Sequence, residues 1–267
     1  MTKPLPKSVI FITGAFIGNN CWDKWIAYFE EYGYKCLAPA WPHKDGSAEE
    51  LRNRHPDIGI ANNRLTSVTD HFAVIIKGLP ERPILIGQAL GALVVQLLLQ
   101  RGFGAAGVAV HSYPPAGVGT FDLLFKRTIW NAMGFFTSTQ RTYLMPFRIW
   151  ESMFANELSF EEQKERYYKY CVPESKGVIR DLFRCTAKVD FERPHVPILF
   201  TSGSRDKFIS DTLNYMNFKR YTDKNSVTGY KNFTNHNHLI FEYPECEEEA
   251  RFILYWLQDI HLLSMNN

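Results

Sequence analysis

Pro83 to Gln96 reads PILIGQALGALVVQ, and this stretch decides the fold. Pro83–Gly87 is apolar throughout, the pattern of a strand buried on both faces. Ala89–Leu99 follows with helical spacing and is apolar nearly all round, so its helix should be deeply buried too. Gly87 and Gly91 stand two residues either side of position 89. Glycine at both places permits a sharp strand-to-helix turn, where larger side chains would clash. Such a turn thrusts residue 89 up at the strand's C-terminal edge, beside a helix N-terminus.

Outward from this turn, strand and helix signals alternate. Val9–Thr13 is an apolar, β-branched run ending at Gly14, and Trp22–Tyr32 has helical spacing and stops at Gly33. Tyr34–Ala38 is a second strand, closed by Pro39 and Pro42. Ser47 with Glu50 makes a capping-box signature for a short helix. Leu65, Val68, Phe72, Ile75, Ile76 and Leu79 share one face of a helix that ends before Pro80. Ala106–Ser112 is a fourth strand, and this rhythm predicts a parallel sheet covered by helices. From Gly117 to Asp190 the strand signal lapses into helical, aromatic-rich sequence. It resumes at Pro197–Ser202, followed by a helix over Asp211–Arg220 and a strand over Ser226–Lys231. Pro244 suits the first position of a last helix, and Glu245, Glu247, Glu248 and Glu249 read as its solvated, dipole-facing start.

The composition closes off several classes. At 267 residues the chain is one large domain, or a core with an inserted subdomain. With 30 Lys+Arg against 28 Asp+Glu, a net charge of +2 gives no field for gathering phosphates, so no nucleic-acid partner is expected. Neither a signal peptide nor an apolar run of membrane-spanning length is evident. Five scattered cysteines, with no C-x-x-C pair, read as reduced thiols of a cytoplasmic protein. Gly102–Gly107 formally matches G-x-G-x-x-G but follows a helix and precedes a strand, the reverse of the dinucleotide-binding context. Aromatics at 15% of residues suggest an apolar pocket as well as a core.

The turn Gly87-Gln88-Ala89-Leu90-Gly91 resembles the nucleophile elbow of the α/β-hydrolase fold, G-x-S-x-G, with alanine where the serine belongs. The other landmarks of that fold follow in order. Thr13-Gly14-Ala15-Phe16 stands where the fold carries His-Gly, Gly203-Ser204-Arg205-Asp206 matches its acid turn, and His238 in Asn235-His236-Asn237-His238 matches its histidine loop. The resemblance implies an α/β-hydrolase fold, with a mostly parallel central sheet flanked by helices. Its core would be residues 1–116 and 191–267 and its helical cap 117–190. It also implies catalytic positions Ala89, Asp206 and His238, and oxyanion donors from the backbone of Leu90 and of Ala15 or Phe16. Substrate contacts are expected from Gln88, His111, Tyr113, Pro114, Phe121, Phe125, Trp130 and Phe136. The expected partner is a hydrophobic small molecule, with neither cofactor nor metal, in a monomer or homodimer.

Plainer readings compete. Asp206 also suits a turn, and His236 competes with His238 for the base. The His-x-His spacing suggests a metal pair, yet no nearby carboxylate or third histidine is expected to support one. Three accounts of Ala89 stay open. The chain is a Ser→Ala variant of an esterase or lactonase; or Ala89 is natural and a His238–Asp206 base works alone, as in a cofactor-free dioxygenase or lyase; or the site binds without catalysis.

Overall fold

A computed structural model describes residues 6–119, 129–134, 136–242 and 244–265. Six strands form one sheet: β1 (Ser8–Ile12), β2 (Lys35–Leu37), β3 (Ile84–Gln88), β4 (Ala106–Val110), β5 (Ile198–Gly203) and β6 (Thr228–Phe233). Their order is β2-β1-β3-β4-β5-β6, and every neighbouring pair is parallel. Parallel neighbours need crossovers on the sheet faces. The crossovers described are α1 (Asp23–Glu31), the short α2 (Ala48–Asn53) and α3 (Ile58–Ala61), α4 (Leu65–Lys77), α5 (Leu90–Gln100) and α9 (Asp211–Arg220), named after the insertion helices below. The chain turns back between β1 and β3, the switch point at which open parallel sheets leave a crevice for ligands.

β3 and β4 are buried at every position, and α5 is buried from Leu90 to Leu99. Each fully buried Leu, Ile or Val there contributes about 1.5–3 kcal/mol of apolar burial, so the elbow stands on a fully buried part of the sheet. The Ser47–Glu50 capping box forms as read. β6 starts two residues later than the sequence suggests, because Ser226 is tied into the preceding turn by its bonds to Asp223 and the His195 N–H.

Between β4 and β5 lie α6 (Phe147–Met153), α7 (Phe160–Tyr170) and α8 (Lys176–Asp181). Trp150, Phe154, Phe147 and Tyr167 pack on one another, with Trp150 and Phe154 stacked at 5.8 Å. This insertion is pinned to the loop after β2 by a buried ion pair, Lys44 Nζ to Glu174 Oε2 at 2.8 Å. The final helix is α10 (Glu245–Met265), which packs on α1. No helix among the described residues is long and apolar enough to cross a membrane.

Candidate active site

The elbow is built by contact distances that leave no room for a side chain. A Cβ on Gly87 would lie 2.4 Å from the Gly91 carbonyl oxygen, and one on Gly91 would lie 2.1 Å from that of Ile12. Between them Ala89 has φ 52° and ψ −115°, a strained conformation for any residue with a side chain. Its N–H donates to the Val110 carbonyl at 3.0 Å, and its carbonyl accepts from Tyr113 N–H at 2.9 Å, so β4 and the loop after it clamp the turn. Leu90 opens α5, and among the described residues nothing accepts its N–H or that of Ala15. Such unclaimed donors at a helix start are ready to receive an oxyanion or carbonyl.

Phe16 does not share that position. Its N–H donates to Glu174 Oε2 at 3.2 Å, with φ at 67°, so of the two donors expected beside Leu90 only Ala15 is unclaimed. Thr13, standing where the fold carries histidine, is anchored instead: Trp22 Nε1 donates to its hydroxyl at 3.2 Å and Trp41 Nε1 to its carbonyl at 3.1 Å.

The acid and histidine loops converge as their order suggested. His238 Nδ1 donates to Asp206 Oδ2 at 2.8 Å, and both side chains are fully buried. Asp206 Oδ1 accepts the N–H groups of Phe208 and Ile209 at 2.8 Å each, so the residue shapes its turn and orients the imidazole together. Burial alone would raise the Asp206 carboxyl; the imidazoles of His238 and His111 outweigh it and hold the group well below the usual carboxylate range. Phe154 and Phe208 lie edge-on to the His238 ring at 4.8 and 5.0 Å. His238 Nε2 lies 2.8 Å from the side-chain nitrogen of Gln88.

Several expected roles move. His111 does not line a pocket. It is wholly buried behind Asp206, donating from Nδ1 to Asp206 Oδ2 at 2.9 Å and from Nε2 to Glu249 Oε1 at 3.0 Å. Burial would lower its pKa, but Glu249 and Asp206 outweigh that and push it up to about 10. Glu249 is no solvated helix start, since it is fully buried and also accepts from His236 Nδ1 at 3.0 Å. His236 bonds outward to Glu248 and takes no part in the His238–Asp206 contact. Carboxylates therefore do lie beside the His-x-His pair, contrary to the sequence reading. His111, Asp206 and His238 bring ligand-type atoms within 4.8 Å of one another. Both Nδ1 atoms, however, direct their hydrogens at Asp206 Oδ2, leaving no lone pair there for a cation.

The cleft at the elbow is narrow and apolar, lined by Ala15, Phe16, Ala89, Leu90, Tyr113, Ile129, Ile179, Leu182 and Phe208. Its cavity volume is about 10 Å³, room for a single water. Gln88 and Pro114 are buried beside the turn but do not line the cleft. Trp130 is 54% and Phe136 93% exposed, so both face outward rather than into it. Phe121 and Phe125 lie outside the described residues. Ile129, Ile179, Leu182 and Phe208 carry no motif and were not legible as lining.

The model of the alpha/beta hydrolase family matches residues 9–247. The chain belongs to the alpha/beta hydrolase family. Among solved structures it is similar to an extracellular alpha/beta-hydrolase from a Paenibacillus species, at 16% identity and TM-score 0.71 over 94% of this chain and 98% of that one. A methylesterase from Arabidopsis matches at 13% identity and TM-score 0.66, over 94% and 98% of the two chains. A variant of tomato methylketone synthase I, complexed with β-ketoheptanoate, matches at 12% identity and TM-score 0.69, over 96% and 99%. No curated protein matches the sequence. For this hydrolase-family chain, those identities speak to the fold.

Proposed function

We propose that this family member recognises the carbonyl group of an uncharged, apolar ester or lactone at a site of the serine-hydrolase type. Position 89 is its nucleophile position. The observation that carries the reading is the elbow: Ala89 at φ 52° and ψ −115°, with the unclaimed N–H of Leu90 beside it. The N–H groups of Leu90 and Ala15 are the carbonyl donors. His238, oriented by Asp206, is the base a serine at 89 would use. No cationic side chain is among the described lining residues, which favours an uncharged ligand. With alanine at 89 no acyl-enzyme forms, so the chain binds without acyl transfer. Residues 117–190 serve as the cap, and the five free thiols fit a reducing, cytoplasmic compartment.

The test is Ala89→Ser treated with a fluorophosphonate probe. Mass spectrometry should find the adduct on residue 89, and labelling at any other residue refutes the assignment. A second reading has the His238–Asp206 pair moving a proton with no nucleophile at all. The likeness to methylketone synthase I favours it, because β-ketoheptanoate is no ester. Turnover of a β-keto acid by the Ala89 chain, lost in His238→Ala, would establish that reading.

A further inference from the structure

We propose that Gln88 is a positioning residue that holds the base closed: its side-chain amide occupies the Nε2 lone pair of His238, the one a nucleophile at position 89 would need. The inference rests on the reading of position 89 given above. Gln88 ends β3 and is fully buried, with Nε2 at 2.8 Å from His238 Nε2 and 3.4 Å from the His238 carbonyl oxygen. Asp206 Oδ2 is ionised and can only accept, so the ring hydrogen sits on Nδ1 and Nε2 is the acceptor. A ring nitrogen offers one in-plane lone pair, and the Gln88 N–H takes it. Phe154 and Phe208 pack edge-on against the ring and against each other, closing one side of it to solvent.

The other end of the amide shows that this bond is kept at a cost. Gln88 Oε1 is buried with no hydrogen-bond partner among the described residues, facing Gly14, where a Cβ would come within 2.8 Å of it. Native interiors rarely orphan a carbonyl oxygen. The reversed amide would set Oε1 against the unprotonated Nε2, lone pair to lone pair, which is worse. In an Ala89→Ser chain, the serine oxygen attacks phosphorus of a fluorophosphonate, fluoride leaves, and the hydroxyl proton goes to His238 Nε2. That proton has nowhere to go until Gln88 lets the lone pair free.

The experiment compares second-order labelling rates of Ala89→Ser and of Gln88→Met/Ala89→Ser, in which methionine keeps the volume but has no donor. The double variant should label about 5- to 150-fold faster, the range to which one buried hydrogen bond of about 1–3 kcal/mol converts. Gln88→Leu/Ala89→Ser gives a second donor-free chain, and thermal unfolding checks that each is folded. On the unmodified chain, ¹⁵N NMR should find a coupling across the hydrogen bond between Gln88 Nε2 and His238 Nε2. Equal labelling rates in folded single and double variants, or no such coupling, would overturn the proposal. If no serine chain labels at all, the reading of position 89 fails, and the coupling alone decides whether Gln88 holds His238.

Discussion

Replacing His111 with leucine should cost the protein on the order of 4 kcal/mol near pH 6, and the cost should shrink as pH rises. His111 bridges Asp206 and Glu249, at 2.9 and 3.0 Å, and all three side chains have no solvent exposure. Both ring nitrogens face carboxylates, so both carry hydrogens and the ring is an imidazolium. Leucine would fill most of the space but leave two buried carboxylates short of a cation. Removing one partner of a buried ion pair typically costs about 3–5 kcal/mol.

The pH dependence follows from where His111 titrates. Its pKa is raised from 6.5 to about 10 in the folded protein. A raised pKa contributes stability that is complete below the unfolded value and is lost as pH climbs through the folded one. At 1.36 kcal/mol per pH unit, the gap from 6.5 to about 10 sets an upper limit of about 5 kcal/mol. Urea unfolding of both chains at pH 6, 8 and 9.5 reads it directly. The stability difference should fall by up to about 1.4 kcal/mol per unit above pH 6.5, while groups remote from His111 cancel. A difference that stays flat from pH 6 to 9.5, or one below about 1 kcal/mol at pH 6, would mean that His111 is neutral and the charge argument wrong.

Gly91→Ala should fail to give soluble folded protein, since its Cβ would lie 2.1 Å from the Ile12 carbonyl oxygen and neither backbone segment can give way; circular dichroism checks it. Lys44→Met should cost about 3–5 kcal/mol by stranding the buried Glu174, and Lys44→Met/Glu174→Gln should cost less than the two single changes added together in a double-mutant cycle by urea unfolding. In the serine form, His238→Ala should slow fluorophosphonate labelling by about 10³–10⁴-fold. His236→Ala, whose ring bonds Glu248 and Glu249, should change it by less than about tenfold, as read by the same labelling assay.

The parts of the site legible in the sequence are those fixed by local backbone sterics. Gly87 and Gly91 announce the elbow because the clash they avoid lies within a few residues or against the adjoining strand. Asp206 and His238 are legible because each follows directly on the end of a strand. The partners that set the electrostatics were hidden by distance along the chain. His111 reaches Asp206 across 95 residues and Glu249 across 138, and Gln88 reaches His238 across 150. Glu249 did leave a trace. It shares the i, i+4 row of Ile253 and Leu257 with Cys246 beside it, all buried, so it sits on the apolar stripe of α10. A carboxylate on such a stripe requires a buried partner, and the dipole argument for the acidic run overlooked that. His111, following the wholly apolar strand β4, makes the same demand from the other side.

The aromatic insertion misled for a different reason. Counting rings measures how much apolar surface must be covered, and rings can cover one another. Trp150, Phe154 and Tyr167 do so, and Phe154 goes on to stack against Phe208 at 4.7 Å and flank His238. That leaves the smaller Ile129, Ile179 and Leu182 facing the elbow, and it makes Phe154 packing for the imidazole more than a wall of the cleft. The consequence reaches the chemistry. An imidazole packed against Phe154 and Phe208, bonded to Asp206 and Gln88, and sharing its carboxylate with an imidazolium is more constrained than one oriented by a single carboxylate. A hydroxyl placed at position 89 would meet a Nε2 lone pair held by Gln88, on an imidazole whose orienting oxygen, Asp206 Oδ2, is shared with His111.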